Sequence, residues 1–441
     1  MFQNRDLKRL IIPLVIEQTL AVTIGMADTV MVSSAGEAAV SGISLVDSIN
    51  VLLINIFSAL ATGGAVISSQ FLGRNDRQNA CSAGTQLLIS ITVLSLAISV
   101  LALIFRFPLL RLIFGSVEDD VMANAQIYFL LTASSYPFLA IYNAGAALFR
   151  SMGNSKISMY TSILMNVINI GGNAILIFGF QMGTAGAGTA TLVSRIVGAA
   201  AMMVLLRHRN NPIFIDSYLK LEFRPSVVHR ILTVGIPNGM ESGMFQIGKL
   251  LLQSLISSFG TAAIAANAVG NSISSVTVIP GSAISLALIT VVGQCVGARD
   301  YDEAKRLAYK LMKIASLSML GTNLLVFLLL DPLIGCFQLS QTATKTAHQL
   351  MQLYCICSCV FWTCSFSLPN ALRAAGDVRF PMMVSIFSMA VFRIGFSYLL
   401  GIGFQMGVLG VWVAMILDWI FRDIMFITRF LRGKWKNFTL T

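Results

Sequence analysis

The sequence predicts an all-α polytopic membrane protein of about twelve transmembrane helices, in two six-helix lobes related by a pseudo-twofold axis along the membrane normal. Three observations predict it. Of 441 residues, 56% are hydrophobic and 11% charged, with a mean hydropathy of +0.80; a soluble domain carries roughly 25% charged residues. Apolar runs such as "ISITVLSLAISVLALIF" and "LSMLGTNLLVFLLL" recur along the chain, each long enough with its neighbours to supply the roughly 20 helical residues that cross a bilayer. The pentapeptide "GFQMG" occurs at Gly179–Gly183 and again at Gly403–Gly407, 224 residues later.

Gly, Pro and charge clusters divide the chain into apolar segments at 10–34, 43–67, 81–105, 121–148, 158–179, 186–206, 231–257, 264–292, 308–330, 347–371, 381–401 and 408–430. The opening "MFQNRDLKRL" is basic, but the apolar stretch after it holds Glu17 and Asp28 and lacks a small-residue cleavage site. It reads as a cytoplasmic tail, not a removed leader. In "CICSC" the spacing of two sends the thiols to different helix faces, with no His or carboxylate nearby, so packing is expected there and a metal is not.

Basic residues set the orientation. With a cytoplasmic N-terminus, 23 of the 30 Lys and Arg fall in cytoplasmic segments, and only Arg106, Arg111 and Lys345 fall outside. That bias predicts both termini in the cytoplasm of a multi-pass bacterial inner-membrane protein. The net charge of +11 then reflects loops facing anionic lipid and calls for no nucleic acid.

A shift of 224 aligns Ile12-Pro13 with Ile236-Pro237, Glu17 with Glu241, and "SSAGEAA" with "SSFGTAA". It also aligns Gln70, Gly73 and Asp76 with Gln294, Gly297 and Asp300, while "RSMGNSK" meets "RAAGDVR" at a shift of 223. Each half is therefore a six-helix unit, and an even number of spans makes the repeats parallel. The expected division is an N-terminal lobe over 1–210, a cytoplasmic linker over 211–230 and a C-terminal lobe over 231–441. "GFQMG" becomes the outer turn between the fifth and sixth helices of each half, where glycine supplies tight geometry. Two lobes around such an axis leave a cleft that alternating access can use. The three His lie in or near loops and no Walker motif occurs, so the reading is a transporter driven by an ion gradient, not an enzyme.

Ionisable groups inside the membrane are functional candidates by default. Asp28, Asn173 and Thr191 come from three segments and fall at one depth, about six residues from the outer ends, and Asn169 shares a helix face with Asn173 one turn away; such oxygens suit a hard cation. The alternative is a polar network that glues helices together. Glu17 lies on the same face of the first helix as Asp28. Glu241 is its repeat mate, a candidate proton or cation site in the second lobe, or else a neutralised partner of Lys249 two turns on, or a structural residue like Glu17. Arg195 and Arg393 are mid-span; Arg195 calls for a carboxylate partner elsewhere. Asp418 and Arg422 are spaced to pair at i,i+4, or Arg422 and Asp423 reach out to the interface.

The twelve spans, the Ile-Pro openings and "DTVMVSSAGEAAVSG" together resemble the multidrug and toxic compound extrusion (MATE) family. So do the paired "GQCVGARDYDEAKR" and "SQFLGRNDRQNA" loops and the "RSMGNS" and "RAAGDV" loops. The resemblance covers nearly the whole chain. It implies an antiporter that exports bulky cationic or amphipathic compounds in exchange for Na⁺ or H⁺, acting as a monomer with no other cofactor. A lipid or lipid-linked oligosaccharide flippase is the alternative. It also implies an ion site from Asp28, Asn169, the Ala187 carbonyl and Thr191, with Asn173 standing where the family pattern has a second Asp.

Overall fold

A computed structural model describes residues 2–34, 36–115, 117–216, 222–438 and 440, without the side chains of residues 26–30 and 33. It is helical throughout its ordered elements. In chain order these are α1 (Asn4–Ser33), α2 (Glu37–Gly73), α3 (Arg77–Ile104), α4 (Arg106–Phe114), α5 (Asp119–Ser134), α6 (Tyr136–Ser151), α7 (Ser155–Asn173, continued as a π-helix over Ala174–Gly179) and α8 (Gly183–Leu206). Then follow α9 (Pro225–Ser257), α10 (Thr261–Thr277), α11 (Ile279–Gly297), α12 (Tyr301–Leu328), α13 (Leu330–Gly335), α14 (Gln341–Phe366) and α15 (Leu368–Ala374). The chain closes with α16 (Arg379–Ser388, then a π-helix over Met389–Gly395), α17 (Phe396–Tyr398, then a π-helix over Leu399–Gly403) and α18 (Val408–Leu431). Among the described residues, eight helices are long and apolar enough to cross a membrane unaided.

The repeat is visible element by element. Shifted by 224, α2 covers the range of α10 and α11 together, α3 covers α12, and α7 with its π-helical end covers the run from α16 to Gly403. The joints match as well. Asn75 and Arg299 both have φ of 59°. The next residues, Asp76 and Asp300, cap α3 and α12 by accepting from the Asn79 and Glu303 amides at 3.1 and 3.0 Å, which satisfies an otherwise orphan donor. In "GFQMG" the left-handed positions are Gln181 (53°) and Gly183 (52°), matched by Gln405 (56°) and Gly407 (60°). The pentapeptide is thus a turn in both copies, ending a π-helix each time.

The copies differ in where proline breaks a helix. The long α2 is continuous, but its counterpart is interrupted at Val278, just before Ile279-Pro280. The fourth span breaks at Ser135 before Tyr136-Pro137 in the first copy, and at Ser367 before Leu368-Pro369 in the second. Proline lacks the amide hydrogen that would continue the helix, and it clashes with the preceding turn.

By contact density the chain forms two compact units, Gln3–Gly239 and Met240–Thr441. The first packs Phe57, Phe129, Tyr136 and Phe149 at full burial. The second is built on Tyr354, whose ring meets Trp412 and Trp419 edge-on at 5.8 and 5.7 Å. Lipid is as apolar as these side chains, so close fit and small residues drive the packing. Gly63 on α2 shows this: a Cβ there would stand 2.5 Å from the Ile231 carbonyl oxygen of α9.

Candidate functional site

The first unit encloses a cavity of about 390 Å³ between α1, α2, α5, α6, α7 and α8. Its polar wall contains Asn166, Asn169, Asn173, Thr191, Asp47 and Arg195. The i,i+4 spacing on α7 lets Asn173 donate to Asn169 Oδ1, and Asn169 donates on to Thr191 Oγ1, both at 3.3 Å. Thr191 in turn donates to the Ala187 carbonyl one turn back on α8, at 2.9 Å. Four of the five residues expected at an ion site are therefore joined in one hydrogen-bonded chain. Asp28, the fifth, lies in α1, and its side chain is outside the described residues.

Asp47 is a cavity-lining carboxylate that sequence reading passed over. It sits near the start of α2 and accepts from Asn50 Nδ2 at 3.0 Å. Asn50 accepts in turn from the hydroxyl of fully buried Tyr136 at 2.8 Å. The available signal was a carboxylate inside an apolar helix with an amide three residues on. Arg195 donates to Ser135 Oγ at 2.7 Å and interacts electrostatically with Asp47. The Pro137 break thus sets Ser135 and Tyr136 side by side, one holding the cation and the other reaching the carboxylate through Asn50. Asp47 is a described carboxylate within electrostatic reach of Arg195.

Glu17 stands apart from this cavity wall. It is 8% exposed and takes Arg150 Nη1 at 3.1 Å and Ser158 Oγ at 2.8 Å. Its repeat mate Glu241 takes Arg373 in a close ion pair and Arg422 at 3.5 Å. The Glu241–Lys249 pair, one of the alternatives for Glu241, does not form; Lys249 instead lies over the Phe245 ring, 5.2 Å from its centroid. Nor does Asp418 pair along its own helix with Arg422. It takes Arg393 at 3.4 Å and a hydroxyl hydrogen from Ser388. Arg422 and Asp423 do not reach the interface either, being 3% and 6% exposed. For Glu241, Asp418, Arg422 and Asp423 a neighbouring helix offers a partner where the residue is buried, and an unpaired buried charge is far costlier than a change of partner.

These features define a class: a multi-pass membrane protein built from two copies of one six-span helical unit, with ionisable side chains lining a cavity within the first. A family model described as MatE matches residues 13–175 and, separately, 237–399. The chain belongs to that family, the multidrug and toxic compound extrusion transporters. It is 29% identical over 429 residues to the uncharacterized transporter YisQ of Bacillus subtilis, covering 96% of this chain and 93% of YisQ. It is 26% identical to the probable multidrug resistance protein NorM of Thermotoga maritima, covering 98% and 93%. Among solved structures, a MOP superfamily transporter from Pyrococcus furiosus, described as having a binding pocket of reverse polarity, superposes with a TM-score of 0.92 at 20% identity over 99% and 97% of the two chains. A MATE protein in a bent conformation gives 0.88 at 20% identity over 98% and 94%.

Proposed function

We infer that this protein is a secondary active antiporter that exports bulky amphipathic or cationic compounds, with an inward cation gradient as its energy source. The observation that carries the reading is the first-unit cavity, where Asp47, Arg195 and the Asn169–Thr191 chain gather inside a membrane helix bundle. Charges are costly at that depth and are retained for ion or proton traffic. Asp28 and Asp47 are the coupling carboxylates; Asn169, Asn173, Thr191 and the Ala187 carbonyl orient them and supply neutral oxygens. Arg195 carries a permanent charge in the same cavity. That favours H⁺ over Na⁺, because a proton neutralises a carboxylate without adding a second cation beside the guanidinium. The multidrug resistance names of the relatives favour small-molecule export over lipid flipping. Coupling needs only that the ion and the substrate prefer different conformations. The protein acts as a single chain in the cytoplasmic membrane, with both termini inside.

The test is uptake of a fluorescent cation into proteoliposomes under imposed pH or Na⁺ gradients. Asp28→Asn is expected to abolish gradient-driven transport in a protein that still folds. Unchanged gradient-driven transport in that variant removes Asp28 from the coupling role.

A further inference from the structure

The second unit presents a face that this function does not use. A stripe of exposed residues runs along α12 through Arg306, Tyr309, Lys313, Leu317, Leu320 and Leu324, in steps of three and four that keep it on one side of the helix. Its first half is cationic and aromatic, and its second half is leucine. The helix has 28 residues, about 42 Å, against a hydrocarbon core of roughly 30 Å. The surplus of about eight residues falls at the charged end, so Tyr309 stands at the headgroup boundary, where tyrosine is favoured. Lys313, one turn deeper, has an alkyl stem long enough to return its ammonium to that level. From Lys313 to Leu324 is about 16 Å, the depth of one leaflet.

The charges at this end favour an anion. Residues 301–313 hold four cations against two carboxylates, and both carboxylates are engaged: Glu303 by Arg306 at 2.7 Å and Asp302 by Lys436 at 3.4 Å. The Glu303 contact uses Nη2 of Arg306, one corner of a five-donor fork. Among the described residues Lys313 has no ion-pair partner. Between them Tyr309 is backed edge-on by Phe430 at 5.7 Å, and Lys305 lies 6.0 Å from its centroid. Arg306 and Lys313 are about 10 Å apart along the axis, a gap that two long side chains close over the ring.

The first copy lacks this head. A shift of 224 sets Ser82, Thr85 and Ile89 of α3 opposite Arg306, Tyr309 and Lys313, and Val93, Leu96 and Val100 opposite the three leucines. The apolar half is common to both copies; the cationic half belongs to α12. Beside Ser82 and Thr85, Cys81 and Gln86 accept the amides of Phe214 and Arg224 at 3.5 and 3.0 Å, so there the chain itself covers the end of the helix.

We propose that this stripe of α12 binds one anionic phospholipid, with the phosphate held over Tyr309 by Arg306 and Lys313 and an acyl chain lying along Leu317, Leu320 and Leu324. Leucine accepts the chain of any lipid, and the two cations select the headgroup. In the orientation proposed above this is the cytoplasmic leaflet, the one whose surface is negative. The lipid is a partner of the second unit and not its cargo, so the proposal stands apart from the export reading.

Native mass spectrometry of the full-length protein tests it, with phosphatidylglycerol and phosphatidylcholine of identical chains titrated in detergent. Wild type is expected to bind its first phosphatidylglycerol about tenfold more tightly than its first phosphatidylcholine, the scale of one to two cations at a headgroup. Arg306→Gln with Lys313→Gln should erase that preference and leave phosphatidylcholine within about twofold. Arg432→Gln with Lys434→Gln removes the same charge from exposed positions after α18 and should keep it. Glycerol 3-phosphate, a headgroup without chains, should not displace the lipid at equal concentration. A second measurement leaves the cations in place: in Leu317→Trp, phosphatidylglycerol brominated on its chains should quench the added fluorescence more than brominated phosphatidylcholine does. Equal affinity for the two lipids in wild type overturns the proposal, as does equal quenching. Loss of the preference in the Arg432 and Lys434 variant reduces the effect to general attraction and overturns it too. Displacement by glycerol 3-phosphate removes the leucines from the site and with them the lipid. The wild-type and quenching comparisons stand even if the Arg306 and Lys313 variant fails to fold.

Discussion

Arg373 grips Glu241 in the second unit as Arg150 grips Glu17 in the first. The arginines open the "RAAGDV" and "RSMGNS" loops, and the glutamates stand one turn past the Ile-Pro pairs of α9 and α1. Two pairs of repeat mates, found separately in sequence, meet as one duplicated ion pair. Each ties the first helix of a unit to the C-terminal end of its fourth span.

Breaking such a pair leaves a charge uncompensated. Arg150→Met is expected to cost about 3 kcal/mol, seen as a lower melting temperature in detergent. Adding Glu17→Gln to it should recover most of the loss. Arg373→Met should be milder, because Glu241 keeps Arg422 at 3.5 Å.

Asp47 and Arg195 line the same cavity and act on one another electrostatically. Asp47→Asn and Arg195→Gln are each expected to reduce proton-driven efflux at least about tenfold, the effect of losing one group that titrates or sets a charge. The double variant should be no worse than the poorer single one, the non-additivity of residues acting as a unit. Purely additive losses in proteoliposome transport would count against a shared role.

Gly63 tests the packing of the first unit. Gly63→Ala places a methyl against the backbone of α9 at Ile231 and Gly235, where no side chain can swing aside. A loss of about 1–3 kcal/mol is expected. Gly25, with open space around it, is the control, and Gly25→Ala should leave the melting temperature unchanged.

The Asp76 cap carries a pH signature. Hydrogen bonds from the Asn79 side chain and then from its amide hold the carboxyl below its ordinary value. A lowered value means that the stabilisation is complete above the unfolded range and fades as pH falls through the folded one. Asp76→Ala is expected to cost about 1 kcal/mol at neutral pH, and the gap between variant and wild-type melting temperatures should close in acid below about pH 4.

Most of the fold was legible because it depends on local signals. Apolar length located the spans, the repeat shift paired α3 with α12, and "GFQMG" marked both turns. The ion pairs were less legible because they join helices far apart in the chain. Spacing offered Arg422 to Asp418 and Lys249 to Glu241, yet packing supplied Arg393 and Arg373 instead. Spacing says which residues share a helix face; it does not say what the face meets. Asp47 was missed although it falls inside the apolar segment 43–67, because what marks it out, the Asn50–Tyr136 link and the nearness of Arg195, comes from helices far away in the chain.

The duplicate has kept its corners and moved its joints. Asn75 and Arg299 turn through the same angle, but Pro280 has no counterpart in α2, and Pro137 and Pro369 interrupt the fourth spans at different heights. A protein made of two interchangeable parts would bend at matching places. This one has one unbroken long rod where its twin has two shorter pieces, so gene halves swapped head for tail would rebuild the turns faithfully and still give each half the wrong stiffness.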